Sequence, residues 1–497
     1  MAKTRMALRG LRLHQRAPRK ITVASGPGSP KAGERLLEPA DELMSGPYGT
    51  GWSPHHLRKA LMASGSPSAK SPRLNSVLLV NERRGPRRWG IRMGELTYED
   101  LKEAVKARGA AIRFVTRLMP GGGPADKVYP PTYQGGQYIS ETRRIGDQAV
   151  SCVLLDSVQS QANRMEEALL EARRRGQIQF PDLEVDFASA GFPQYGFLSV
   201  LQAPHRIADA IFRDSYLDGQ PFRLSELGRK FVESTPLNAV GLLELCPPVL
   251  VFGAWDSTGL GMGGLGAKFA RVIASEIVGV HFAEGKHAAV RVDPLGIQRE
   301  AAVIYESESP LGWTTDPERA RRDERGNPKP LVRGSERGGR PSVINHGNIL
   351  TDIRAGGVTI AYALQTAVVS LAGLRKLRFP DDSGHYRQER NLAAQTYLAA
   401  LAVYAILLQQ EAGYDLRSRC VLHPIERRVE LVPNCPEPTR EISLSSQKVA
   451  EIYYQAVEGL KRSGFRWDPR VVTLRPSEEL LELLRRNQEK IAAGSVD

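Results

Sequence analysis

The segment DSVQSQANRMEEALLEA, residues 156–172, concentrates uncharged amide and hydroxyl side chains that could bind sugars, phosphates and base edges. Its apolar residues recur with the period of an amphipathic helix, which predicts a core-facing stripe made of Val158, Ala162, Met165, Leu169 and Ala172. Asp156 or Ser157 can cap this helix, because either side chain can accept a hydrogen bond from the first free backbone amides.

The polar positions on the same helix are the first candidate binding residues. Ser157, Gln161 and Arg164 are spaced to lie in one row beside the stripe. The nucleic-acid-binding candidates on this helix are therefore Ser157, Gln159, Gln161, Asn163 and Arg164. The alternative is a polar face that is only solvated or packed against another part of the protein.

A second candidate is the glycine-rich segment GLGMGGLGAK, residues 259–268, which follows an apolar run. Glycines let the backbone approach a phosphate closely, so the candidates are Gly261, Gly263, Gly264, Gly266 and Lys268. The spacing fits neither a P-loop nor a dinucleotide-binding turn, because Lys268 comes one position late and no clear helix follows. A clamp on a nucleic-acid backbone and a flexible hairpin connection both remain open.

Catalytic and metal-binding signals are weak. His205 and His385 stand outside any catalytic motif, so we predict no catalytic residue and no cofactor. The loose set Cys420, His423 and Cys435 lacks a fourth ligand, so no metal is expected. The few scattered cysteines indicate a reducing compartment.

Positive charge is confined to one part of the chain. The formal net charge is +13, but residues 1–92 hold 18 of the 68 Lys and Arg and only 5 of the 55 Asp and Glu. The remaining residues hold 50 of each, so a nucleic-acid site there must be a local basic patch on a neutral particle. Residues 1–92, rich in Gly, Pro, Ser and Arg, are predicted to be disordered. They could be a transit peptide, a basic arm or, slightly favoured, an over-extended start before Met93.

The positioning elements follow an α+β pattern with a mixed or antiparallel sheet. Strands are predicted at Ala110–Leu118 and, buried, at Val249–Trp255. A charged, structureless insertion is predicted at Tyr305–Asn345. The apolar stretches Val358–Leu374 and Leu392–Leu408 are interpreted as buried helices rather than membrane spans. The predicted body covers residues 93–432, and an α-rich extension covers 433–497.

Several sequence blocks occur in the order typical of one protein family. They are LLDSVQSQANRMEEALLEA, HRIADAIFRDS, PFRLSELGRKFVEST, ELCPPVLVFGAWDSTG with GGLGAKFARVIASEIVGV, and GYDLRSRCVL. From about Leu96 to about Ile425 the chain resembles the large backbone RAMP subunit, of the Cas-seven type, from the type I-G (formerly I-U) CRISPR interference complex. The leader departs from the family pattern, and the tail after Val432 is less distinctive.

This resemblance implies a ferredoxin-like (RRM-like) palm with large insertions, built on a mixed or antiparallel sheet with flanking helices. It implies a non-catalytic, cytoplasmic protein that binds crRNA and, through the crRNA, target DNA. Its other implied partners are copies of itself in a helical row and further CRISPR effector subunits, with no membrane. An inserted thumb is implied, for which Tyr305–Asn345 and the loop Pro120–Tyr138 are both candidates. The alternative is a RAMP endoribonuclease that processes precursor crRNA through His205 or His385.

Overall fold

The computed structural model describes residues 94–256, 268–332, 338–347 and 349–492. The predicted leader at 1–92 lies outside these residues, and so do Gly261, Gly263, Gly264 and Gly266. What was inferred about them stays a prediction.

A large sheet organises the described chain. Its strands are β1 (Gly94–Glu95), β2 (Gly109–Pro120), β3 (Ser140–Ile145), β4 (Gln148–Asp156), β5 (Ile273–Val280), β6 (Tyr362–Ser370), β7 (Tyr414–Arg417), β8 (Cys420–Pro433) and β9 (Arg440–Ser443). They lie in the order β1-β9-β8-β2-β6-β5-β4-β3, and β7 pairs with β8. All neighbours are antiparallel except the short β1–β9 pair. The predicted strand at Ala110–Leu118 is confirmed as part of β2.

The two faces of the sheet differ because side chains alternate along each strand. On β2, Ile112 and Phe114 are buried beneath the helices, whereas Arg113 and Arg117 point to the other face and are half-buried. The Arg117 guanidinium lies 4.2 Å from the centre of the Tyr362 ring on that second face. One face of the sheet therefore packs against the helices as part of the core. The other face combines half-buried arginines with an aromatic ring.

The helices of the described residues cover the core face and its surroundings. They are α1 (Tyr98–Glu103), α2 (Val158–Arg174), α3 (Ala210–Arg213), α4 (Glu226–Val232), α5 (Val240–Leu245), α6 (Pro248–Phe252), α7 (Leu371–Leu374), α8 (Gln388–Ala412), α9 (Ser446–Arg462) and α10 (Glu478–Ala492). Short 3-10 turns occur at Gln134–Gly136, Val200–Gln202, Arg206–Ala208, Phe222–Leu224, Pro317–Arg319 and Pro341–Ile344, and Ala104–Arg108 forms a π-helix. The mixture of sheets and helices confirms the predicted α+β class.

Helix α8 is the central buried helix. It is long and apolar enough to cross a membrane by length and composition, yet most of it is buried inside the protein, between α2 and α9. Polar residues such as Arg390 and Gln409 are buried with it. The interpretation of Leu392–Leu408 as a buried helix is confirmed. The matching interpretation of Val358–Leu374 is wrong, because most of that stretch is strand β6.

Strands β5 and β6 continue beyond the sheet as a two-stranded ribbon. Ala283–Arg291 pairs with Ile349–Thr359, and the chain between them forms an insertion at the far end of the ribbon. Within the insertion, Tyr305–Glu306 pairs with Trp313–Thr314. The stretch predicted to be structureless thus contains a short hairpin and two 3-10 turns.

A second sheet lies beside the first. Its strands, in spatial order, are Phe197–Ser199, Asp182–Asp186, Val471–Pro476, Ser215–Leu217 and Gln220–Pro221. The central member comes from the C-terminal segment, which also supplies β9 to the main sheet. Residues after 433 therefore contribute strands to both sheets as well as helices α9 and α10.

The predicted strand at Val249–Trp255 is wrong. Residues Pro248–Phe252 form α6, and only Ala254–Trp255 is extended, paired with Lys268–Phe269. A proline at the start favours a helix, because its missing N–H would lack a partner there in any case. Gly253 then ends the helix with a φ of 85°.

Candidate nucleic-acid interface

Helix α2 begins where the sequence predicts. Ser157 is its N-cap and accepts a hydrogen bond from the backbone N–H of Ser160 at 3.2 Å. The predicted stripe faces the core, with Ala162, Met165, Leu169 and Ala172 buried and Val158 half-buried. The capping and the apolar stripe are both confirmed, so the orientation of α2 is fixed by its sequence.

Gln161 is placed differently from the prediction. Its side chain is fully buried, donates to Asp156 Oδ2 at 2.6 Å, and accepts from Ser275 Oγ at 2.8 Å. Gln365 Nε2 donates to the same amide oxygen at 2.8 Å. Because its hydrogen bonds are made inside the protein, Gln161 cannot contact RNA in this structure, and its assignment as a binding residue is corrected.

The hydrogen bonds of Gln161 belong to a larger interior polar network. Gln365 donates to Gln409 Oε1 at 2.9 Å, and Gln365 Oε1 accepts from Gln410 at 3.1 Å and from Tyr414 at 2.8 Å. Burial raises the pKa of Tyr414, so its hydroxyl stays protonated and able to donate. The network joins α2, α8 and the centre of the sheet, which explains why so many amides occur in these segments.

Arg164 also points inward. Its Nε lies 2.9 Å from Asp156 Oδ2, and its two terminal nitrogens donate to the backbone carbonyls of Asp415 and Leu416. These hydrogen bonds hold α2 against β7. The Arg164 side chain is 29% exposed. A contact between Arg164 and RNA would use only that exposed edge, so Arg164 stays a predicted binding residue whose guanidinium already has partners in the protein.

Arg417 completes the ion cluster at the start of α2. Its Nη2 lies 3.2 Å from Asp156 Oδ1, and its Nη1 donates to the carbonyl of Tyr129 at 3.4 Å. The buried Asp156 carboxylate is thus shared between two guanidiniums, and the cluster of Asp156, Arg164 and Arg417 keeps one positive charge. An anion approaching the N-terminal end of α2 would meet both that charge and the helix dipole.

A basic and aromatic surface adjoins this cluster. The Arg419 guanidinium lies 4.3 Å from the centre of the Tyr129 ring and donates to its hydroxyl at 2.8 Å. Lys127 Nζ donates to the carbonyl of Lys286 at 2.7 Å, which ties the loop after β2 to the base of the ribbon. Sequence reasoning did not select Lys127, Tyr129, Arg417 or Arg419, although the block GYDLRSRC contains two of them.

Two of the predicted residues on α2 are exposed. Gln159 and Asn163 lie on the outer side of the helix.

Glu166 follows these two residues at helical spacing, nearer the middle of α2. Glu166 is buried, and its Oε2 accepts from Arg206 Nη2 at 2.8 Å. Burial raises the pKa of Glu166, and the Arg206 guanidinium lowers it in part.

Lys268 stands at one end of the glycine-rich segment. Its partner across the short hairpin is Trp255, and Lys268 Nζ lies 5.5 Å from the centre of the Trp255 ring. Trp255 is 62% exposed, which leaves a face of the ring open for stacking. The next residue, Asp256, forms a buried ion pair with Arg223 at 3.2 Å. The ends of the segment are therefore held in register as a hairpin.

Two arginines connect this hairpin to α2. Arg206 binds Glu166 and also donates to the carbonyl of Gly253 at 3.2 Å. Arg271 donates to the carbonyls of Phe252 at 3.3 Å and Val158 at 3.4 Å. The structure thus brings α2 and the residues that precede the glycine-rich segment to neighbouring positions.

The candidate histidines of the endoribonuclease alternative lie in a turn and in a loop. The backbone N–H of His205 donates to Asp209 Oδ2 at 3.1 Å, in a tight turn before α3. His385 is exposed, with its Nδ1 3.8 Å from Asp381. Within the described ranges, no group of three or more His, Cys, Asp or Glu side chains is arranged to hold a metal ion.

Comparison with known proteins gives a family match over part of the chain. Residues 112–284 match the family model described as CRISPR-associated protein GSU0053, a stretch that includes all of α2 and β5. No curated protein matches the sequence. Among solved structures, the crystal structure of Csc2 from Thermofilum pendens aligns with 75% of this chain and 82% of its own, at 13% identity and a TM-score of 0.24. No functional conclusion rests on that loose structural alignment.

Proposed function

We propose that this chain is a Cas7-like CRISPR-associated RAMP protein and acts as a non-catalytic, guide-RNA-binding backbone subunit. Copies stack in a row along the crRNA spacer of a type I-G (formerly I-U) effector complex, beside other effector subunits in the cytoplasm. The held bases pair with target DNA. The family match carries this proposal, because it spans β2 to β5 with the polar helix between them.

The strand order supports a ferredoxin-like palm. Four neighbouring strands, β8-β2-β6-β5, have the order expected for the fourth, first, third and second strands of a βαββαβ unit, and their antiparallel pairing fits that arrangement. Helix α2 lies between the first and second of these strands and α8 between the third and fourth, as the unit requires. The hairpin β3–β4, the second sheet and the ribbon are then insertions into the palm.

The ribbon is our choice for the thumb. It extends directly from two central strands and carries the insertion that contains Tyr305–Asn345 at its end. The other candidate, the loop Pro120–Tyr138, instead packs at the base of the ribbon, where Val128 pairs with Val358. A thumb that displaces a base must extend beyond the palm. The ribbon extends in this way, and the loop does not.

The guide would lie along the N-terminal half of α2. Exposed amides at Gln159 and Asn163 suit contacts with sugar and phosphate, and the positive cluster around Asp156 favours the anionic backbone. Tyr129 and Trp255 provide aromatic rings, each beside a basic side chain. Since the sequence is read by base pairing, contacts to the backbone are sufficient.

Expression with and without a CRISPR array tests the proposal. We expect the protein to co-purify with protected RNA fragments of discrete length when the array is present, and to remain free of them when it is absent. Metal-independent cutting of precursor RNA that is lost in His205→Ala or His385→Ala would instead support the endoribonuclease alternative and contradict the scaffold.

A further inference from the structure

A cavity of about 400 Å³ opens at the end of the sheet remote from the ribbon. It lies between the π-helix Ala104–Arg108, the turn after α7 and the first turns of α8. Its lining includes the side chains of Lys106, Arg375, Arg378, Tyr386, Gln388 and Asn391. Cations, amides and one aromatic ring thus line the same cavity, and among the described residues no carboxylate belongs to the lining.

The two arginines are held in place by backbone carbonyls. Arg375 Nη1 donates to the carbonyls of Ala104 at 3.4 Å and Val105 at 3.0 Å, and Arg378 Nη1 donates to that of Leu377 at 3.1 Å. Within the part of the chain that the structure describes, neither guanidinium forms an ion pair with a carboxylate. Burial also lowers the pKa of Arg375. Half-buried cations without counter-ions favour the binding of an external anion.

The third cation is less constrained. Lys106 pairs with Glu103 at 3.5 Å, and its side chain is 49% exposed. Such a pair at the surface is weak and can be exchanged for another anion. Lys376, adjacent to Arg375, is exposed and adds a further positive charge near the cavity.

The aromatic and amide groups point to a nucleotide rather than to a simple anion. Tyr386 is 56% exposed and is held at its hydroxyl by the carbonyl of Leu237 at 3.2 Å, which leaves the ring open for stacking. Asn391 Oδ1 accepts from the backbone N–H of Phe379 at 2.7 Å, which fixes the orientation of its amide. The volume falls in the range of small-ligand sites.

We propose that this cavity binds the phosphate and base of a single-stranded nucleic acid at a second site, distinct from the guide contact on α2. Strand β6 separates the cavity from the base of the ribbon, and its nine residues span roughly 30 Å. The nucleotides held near the ribbon therefore cannot also fill the cavity. The strand bound here is either RNA or DNA, and the inference does not depend on guide binding at α2.

A binding measurement with two short probes tests this inference. Fluorescein-labelled oligo(dT) and oligo(U) are titrated against the full chain as purified, with any guide RNA still bound, and anisotropy is recorded. The variant is Lys106→Ala with Tyr386→Ala. The control is Lys461→Ala, because Lys461 is 46% exposed and pairs with Glu458 three residues earlier, as Lys106 does with Glu103.

We expect the double variant to weaken binding of at least one probe by about tenfold, because a stacking ring and a phosphate contact are lost. The control should bind as the wild type does. A preference for oligo(dT) identifies a DNA strand as the occupant, and a preference for oligo(U) identifies RNA.

Equal affinities of the wild type and the double variant for both probes would overturn the inference. Binding of poly-glutamate that depends on the same two residues, without oligonucleotide binding, would overturn it in favour of an acidic protein segment. Loss of guide RNA from the wild type would contradict the proposed function and leave this measurement unaffected.

Discussion

The amide side chains on α2 differ in burial. Gln161 is fully buried and bonded to Asp156, Ser275 and Gln365, whereas Gln159 and Asn163 are exposed on the outer side. Both sets look alike in the sequence. The difference shows that an amide-rich helix can contain both an interior network and an exposed row of amides, and that only position around the helix separates them.

The angular position of Gln161 explains why it is buried. Three residues after Val158, it lies about 60° from the line of the apolar stripe. On a helix that touches a flat sheet, such a position is at the edge of the contact. Here α8 also packs against α2, so the buried arc is wider and includes Gln161.

Removing the Asp156 carboxylate, which links the interior network to the ion cluster, should have the largest effect. Asp156→Ala leaves the guanidiniums of Arg164 and Arg417 without their buried counter-ion, and we expect a loss of about 3–5 kcal/mol in the free energy of unfolding. Urea denaturation measures this loss. The exposed Glu167→Ala on the same helix is the control and should change stability by less than about 0.5 kcal/mol. Similar values for both variants would contradict the distinction between interior and exposed polar groups.

The pH dependence of stability tests the effect of a second buried carboxylate, that of Asp182. Burial raises the pKa of Asp182 to about 6, because its contacts with Ser199 and the Leu183 amide only partly replace water. The folded state then binds more protons than the unfolded state between pH 4 and 6, so this group costs stability as pH rises through that range.

The isosteric variant Asp182→Asn removes that cost. Relative to the wild type, it should gain up to about 3 kcal/mol of unfolding free energy between pH 4 and pH 8. Urea midpoints of both proteins at the two pH values measure the gain. A difference in unfolding free energy between the two proteins that stays constant with pH would contradict the raised pKa of Asp182.

Gln161→Ala should have an intermediate effect. It leaves a buried carboxylate oxygen and the Ser275 hydroxyl each without one partner, which costs about 1–3 kcal/mol. Gln159→Ala serves as the matched control on the outer side and should leave the thermal midpoint unchanged. Equal midpoints for the two variants would place Gln161 outside the interior network.

The smallest free-energy change is expected for the exposed row, and it should appear in binding alone. Gln159→Ala with Asn163→Ala should weaken guide RNA several-fold without changing the salt dependence, because neutral amides displace no counterions from phosphates. Lys268→Ala should weaken binding and also reduce the salt slope by about one. Salt titrations of guide affinity separate the two. Equal slopes for all variants would remove Lys268 from the set of phosphate contacts.

Local patterns predicted much of the fold and less of the site. The stripe on α2, its Ser157 cap, strand β2 and the buried helix α8 follow from periodicity and capping within a few residues of sequence. The partners of Gln161 do not, because Ser275 and Gln365 are 114 and 204 residues away along the chain. No local pattern could have shown that these amides meet.

The two wrong secondary-structure predictions also have local causes. Val249–Trp255 is an apolar run preceded by Pro247 and Pro248, which favour a helix start and outweigh the β-branched residues. Val358–Leu374 is mostly apolar because β6 carries Leu364 and Val368 on its half-buried face as well as apolar residues on its buried face. The sequence alternation is therefore weak, and the stretch resembles a buried helix.

Assembly on guides of increasing length tests the central claim most directly. Native mass spectrometry would be recorded on particles reconstituted with crRNAs whose spacers lengthen in equal steps. A backbone subunit predicts that the number of copies rises by one for each fixed increment of spacer. A constant copy number on all guides, or RNA that fails to remain bound, would contradict it.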